Sequence, residues 1–192
     1  MKPSHIDFYI SAGAYFYICL LLLLLPLKLV ASICIAGAIH ECCHIMALKH
    51  FRIPITGINL GIGGALIRTA PLLPKEELIC AAAGPLGSLS CIILIRQVPL
   101  LALCGCLQGL FNLLPIFPLD GGRILVCFCQ LFCPRHTNVI SNTARISTTA
   151  GILCASAVLY RRTSSIIFLI LAIYFLAQFG IRRKSPCKQR GF

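Results

Sequence analysis

Residues 29–48, LVASICIAGAIHECCHIMAL, decide how the rest of the chain is read. The stretch is apolar except for His40, Glu41 and His44. As a helix rising 1.5 Å per residue it would be about 30 Å long, the thickness of a bilayer's hydrocarbon core. Ionisable groups at that depth are costly and usually functional. Four residues turn a helix through about 400°, so the imidazoles of His40 and His44 share one face, about 6 Å apart along the axis. The pattern His40-Glu41-Cys42-Cys43-His44 thus offers two nitrogens to one tetrahedral zinc. Glu41 stands beside them, able to take a proton from an attacking water. The competing reading is a hydrogen-bonded cluster that packs helices and holds no metal.

The whole composition agrees with a membrane setting. Apolar residues make up 58% of the 192 and charged residues 11%, against roughly 45–50% and 25% in a soluble domain. A chain this short cannot hide that excess inside itself. The formal charge of +12 would suggest nucleic acid in a soluble protein. Here the basic residues lie between apolar runs, as topology signals do, so no nucleic-acid partner is expected. Thirteen cysteines, odd in number and spread through apolar runs, do not form a disulfide framework. They are expected to pack as small hydrophobes, Cys43 beside His44 included.

Apolar runs at 8–27, 29–48, 78–95, 98–119, 146–160 and 163–181 predict about six transmembrane helices. The run 124–133 is expected to continue 98–119 as one long interrupted element, with two segments as the alternative. Assigning loops alternately places thirteen basic residues on the side of the termini and four on the other. That imbalance predicts a multi-pass protein of the cell membrane with both termini cytoplasmic. Between the second and third runs, residues 53–67 partly alternate apolar with small or polar residues. This predicts a β-hairpin dipping into the membrane edge, whose backbone needs protein or water for satisfaction. The fold class expected is all-α and polytopic with that one short hairpin. No appended soluble domain is evident, so 1–192 reads as one domain: a core at 29–133 and accessory helices at 8–27, 146–160 and 163–181.

Only five acids occur: Asp7, Glu41, Glu76, Glu77 and Asp120. Glu76 and Glu77 fall in a polar loop, and Asp7 in the N-terminal arm. Asp120 alone joins Glu41 at apolar depth. It lies in NLLPIFPLDGGR at 112–123, where Pro115 and Pro118 interrupt the helix and Gly121 and Gly122 allow close approach. Asp120 is therefore expected to face the bundle interior, the alternative being a plain helix cap. The small residues of AAAGPLG at 81–87 should let helix backbones meet closely.

HECCH, AAAGPLG and NLLPIFPLDGGR, in this order across 29–133, resemble the site-2 protease family of intramembrane zinc metalloproteases. The resemblance implies His40, His44 and Asp120 as ligands of a Zn²⁺ ion and Glu41 as general base. It also implies that Asn112 holds the substrate backbone or the developing oxyanion. The six-span layout with short termini looks most like the bacterial sporulation-factor subgroup, here expected without its C-terminal regulatory domain. The partners implied are a transmembrane protein substrate, the lipid bilayer and a regulatory membrane protein. Two other classes compete with a protease. A metal carrier or sensor would use the same His/His/Asp set, but the chain lacks the repeated halves of transporters. An inactive protease-like binding module would have had no reason to keep all four residues.

Overall fold

A computed structural model describes residues 7–61, 64–116 and 119–163. They fall into two compact units, divided after Leu113.

The first unit opens with strand β1 (Asp7–Ile10) and helix α1 (Ala12–Leu24). Pro26 ends α1: it disfavours helical geometry at the residue before it, and Leu25 is extended at φ −125° and ψ 150°. The run 8–27 is therefore not one spanning helix, since its first residues are strand and its helix has 13 residues. Helix α2 (Leu27–His50) starts directly after Pro26 and carries HECCH in its second half. It stops where Arg52 turns left-handed at φ 55° and Ile53 N–H donates to Leu48 O at 3.0 Å, closing the last carbonyls.

Strands β2 (Ile55–Gly61) and β3 (Gly64–Thr69) form the expected hairpin. Gly64, at φ +107°, holds a backbone conformation that side chains disfavour. β1 adds parallel to β2, with Phe8 opposite Ile58, so the sheet order is β1-β2-β3 and β3 is an edge. Gly57 permits this pairing, because a Cβ there would stand 3.2 Å from Asp7 O. Leu48, Ile67 and Cys80 form a buried cluster with Ile53, Ile55, Ile58 and Leu72 packed around it. That cluster ties the hairpin to the end of α2.

Helix α3 (Pro74–Ser90) begins with proline at its first position, and the Glu76 carboxylate accepts the Leu73 N–H at 2.9 Å. Glu76 and Glu77 thus belong to a helical first turn, where acids oppose the macrodipole, and not to a loop. A short 3₁₀ turn (Cys91–Leu94) follows, then α4 (Pro99–Asn112). In the second unit, α5 (Asp120–Phe132) leads through a 3₁₀ turn at Pro134–His136 to α6 (Thr137–Thr163). Residues 98–133 are therefore two helices, not one interrupted element. α6 starts nine residues before the predicted span at 146. The run 163–181 lies beyond the described residues, apart from its first.

Within the first unit polarity is inverted relative to a soluble bundle. Leu23 is 81% exposed, and Phe16, Ile35, Leu107 and Leu110 also face outward, while Ser32, His40, His44 and Ser88 are buried. A water-facing helix would present the opposite faces. By length and composition, two of the described helices can cross a bilayer: Leu27–His50 and Pro74–Leu94.

Candidate metal centre and its base

The buried positions of α2 include Ser32, Ala36, His40, His44 and Leu48, one residue per turn along a single face. The two imidazoles therefore enter the seam that α2 makes with α3 and α4. They are 4% and 5% exposed, with ring centroids 4.7 Å apart and planes nearly perpendicular. Their Nε2 atoms face each other at 3.1 Å.

Each ring is held from its other nitrogen. His44 Nδ1 lies 2.7 Å from the Cys80 carbonyl oxygen, and His40 Nδ1 lies 2.9 Å from Ser88 Oγ. Both partners come from α3. A carbonyl only accepts, so His44 donates from Nδ1 and turns the lone pair of Nε2 inward. This is the usual way a protein orients histidines that bind metal. Two nitrogens on one tetrahedral zinc, at bonds of about 2.0–2.1 Å, would lie about 3.3 Å apart. The 3.1 Å spacing of the pair fits such an ion.

Gly84 of α3 makes room for this pair. A Cβ there would overlap His44 Nε2 and come within 2.9 Å of His40 Cε1. A Cβ at Gly87 would likewise strike Cys43, its Cβ 2.9 Å away. The close backbone approach expected of AAAGPLG is present, and Cys43 packs against α3. No disulfide joins the described cysteines.

Glu41, half-buried, leaves α2 in a different direction from the histidines. Its Oε1 accepts the Ala65 N–H at 3.2 Å. Because Ala65 belongs to the edge strand β3, this N–H points away from β2. Gly64 adjoins this contact, a Cβ there standing 3.4 Å from Glu41 Oε1, an ordinary van der Waals distance. Asn112 ends α4, just before the Leu113-Leu114-Pro115 turn, and its Nδ2 lies 3.5 Å from His40 Nε2.

The first unit thus brings together His40, His44 and Asn112, with Glu41 on the same helix. Asp120 belongs to the second unit. It is the first residue of α5, 7% exposed, with Gly121 and Gly122 buried behind it. Leu119 occupies the cap position and makes no side-chain cap bond, so Asp120 is not a plain N-cap. Sequence reasoning missed Ser88 and the Cys80 carbonyl, which orient the rings. The available signal was spacing: Cys80, Gly84 and Ser88 recur every four residues on one face of α3.

This fold has a known counterpart. The solved site-2 protease from Methanocaldococcus jannaschii matches with a TM-score of 0.66 over 99% of this chain and 95% of that one, at 20% identity. The chain shares the fold of that site-2 protease. A zinc metalloprotease of Methanocaldococcus jannaschii is 30% identical over 167 residues, 79% of this chain and 47% of that protein. The chain thus spans about half the length of that relative. The sequence model of Peptidase family M50 matches residues 77–157, which include Gly84, Ser88, Asn112 and Asp120. The chain is thus similar to peptidase family M50 over residues 77–157, and to a site-2 protease in its fold.

Proposed function

We propose that this chain is an intramembrane zinc metalloprotease that hydrolyses a peptide bond in or near a transmembrane segment of a membrane-protein substrate. The observation that carries the reading is the buried His40–His44 pair, each ring anchored through Nδ1 and facing its partner through Nε2. Glu41 occupies the adjacent position. The proposed ligands are His40, His44 and Asp120. The carboxylate of Asp120 is supported by its family motif, its burial and its place in the first turn of α5.

A zinc ion held there supplies a Lewis acid, and with it a nucleophile usable near neutral pH. Glu41 accepts a proton from the attacking water as oxygen bonds to the scissile carbonyl carbon. It then delivers that proton to the amide nitrogen as the C–N bond breaks. Asn112, through its Nδ2–H groups, donates to the oxygen on which negative charge develops. Apolar outer faces keep bulk water away, so hydrogen bonds in the seam act at low dielectric.

A substrate helix must open before its carbonyl can be attacked, since its backbone groups are otherwise paired. The outer edge of β3 offers replacement partners by strand addition. Substrates with Gly, Pro or Asn near the cut are expected to be favoured. In this reading the chain acts as one multi-pass domain of about six spans in a cell membrane with cytoplasmic termini. A regulatory membrane protein is the further partner in this reading.

Co-expression with single-span candidate substrates tests the reading. Zinc-dependent cleavage that disappears in Glu41→Gln supports a protease. Metal flux without cleavage would make the chain a carrier, and neither result would make it a binding module.

A further inference from the structure

We infer that Gln108 is a substrate-binding residue, its side-chain amide pairing with the backbone of an extended substrate two residues from the bond that is cut. The inference rests on the protease reading above and adds a contact beyond the proposed ligands, Glu41 and Asn112.

Helix α4 has the sequence PLLALCGCLQGLFN, in which the side chains bearing an amide, hydroxyl or charge are Gln108 and Asn112. Four residues apart, they share one stripe of the helix. Leu103, Leu107, Leu110 and Phe111 face outward. The glycines of α4 meet α3: a Cβ at Gly105 would stand 2.8 Å from Ser88 O, and one at Gly109 3.1 Å from Pro85 O. The amide stripe meets α2 instead. Gln108 Nε2 lies 3.7 Å from where a Cβ of Gly37 would be, and Asn112 Nδ2 lies 3.5 Å from His40 Nε2.

These two contacts run in the same order along both helices, so Gln108 stands one turn before the level of His40. Gly37 is also one turn before Glu41 and brings no side chain into the space beside the amide. Gln108 is half-buried, and among the described residues no hydrogen bond engages its side chain. An amide left unpaired in apolar surroundings is costly, and a peptide backbone supplies both of the groups it lacks.

The spacing fits an extended chain. Four helical residues rise about 6 Å, and two residues of strand cover about 6.6 Å. Alternate residues of a strand direct their N–H and C=O to the same side. With the scissile carbonyl at Asn112, the residue two positions away turns both groups toward Gln108, while the residue between them faces the other way. A carboxamide donates and accepts, so it can take both groups. Lying away from the reacting atoms, this contact is equally strong in ground and transition state and belongs to KM, whereas the Asn112 contact belongs to kcat.

The test measures equilibrium binding of a fluorescent single-span substrate to the full chain in detergent, carrying Glu41→Gln to prevent cleavage, with and without Gln108→Met. Methionine keeps the length and helix preference of glutamine and drops its amide. Loss of one or two neutral hydrogen bonds predicts binding about 5- to 30-fold weaker. Substrates with one backbone amide replaced by an ester locate the contact. An ester two residues from the cut residue, on one side of it, should weaken binding to the Gln108 protein and cause no further loss in Gln108→Met. An ester at the residue just before the cut residue should affect both proteins equally. Equal affinity in Gln108→Met would overturn the inference. So would ester effects that are the same in both proteins at every position, which is how a merely structural amide would behave. A wild-type chain that cleaves no substrate would instead overturn the protease reading, and this inference with it.

Discussion

The Glu41 carboxylate accepts the Ala65 N–H at 3.2 Å, so the proposed base and the edge strand of the sheet are directly joined. A hydrogen bond to a charged group contributes about 1.5–3 kcal/mol. Ala65→Pro removes the donor, and proline is tolerated where an edge N–H points outward. The expected result is a drop of about 10- to 100-fold in kcat with unchanged zinc affinity. Ala65→Gly keeps the N–H and should stay near wild type. Steady-state cleavage of one substrate by the three proteins checks this, and an unaffected proline variant would remove β3 from the mechanism.

Gly84 separates the stability of the bundle from the geometry of the histidines. A methyl there would overlap both rings, and overpacking of this kind costs about 1–3 kcal/mol. Gly84→Ala should lower the thermal midpoint and weaken zinc binding together. Metal titration of the folded variant checks it, and wild-type affinity would show that the rings need not sit against α3.

Asn112 should affect rate more than binding. Removing an oxyanion donor lowers kcat by about 10²–10³. Asn112→Ala should show that loss with KM and zinc content little changed. A change confined to KM would instead make Asn112 a contact to the substrate backbone.

Cys43 packs against Gly87, and its thiol is not proposed as a ligand despite its place beside His44. Cys43→Ala should bind zinc with wild-type affinity. A tenfold loss on equilibrium titration would bring the thiol into the metal's coordination.

Much of this arrangement was legible in the residues. The boundaries of α2 differ by two residues at each end from the run 29–48, because lipid-length apolarity and the flanking Pro26 both mark it. The hairpin was visible through alternation at 53–67 and the need for glycine at the turn. β1 was not, since Phe8, Tyr9 and Ile10 merge with the apolar run behind them and pair with residues about fifty positions away. The first turns of α6 lie outside the predicted span because Thr137 to Arg145 are mostly polar, and hydropathy does not register such a helix. His40, Glu41 and His44 follow from one helical motif. Ser88 and Cys80 did not emerge, because a hydroxyl or a carbonyl in an apolar helix acquires meaning only when another helix brings a ring against it.

His40, His44 and Asp120 are proposed to share one zinc ion. The most direct measurement is the zinc-to-protein ratio and affinity of the purified chain beside its His44→Ala and Asp120→Ala variants, each shown to be folded. One zinc per wild-type chain is expected, with binding severely weakened in both variants. Wild-type affinity in Asp120→Ala, or a folded wild-type chain that binds no zinc, would contradict it.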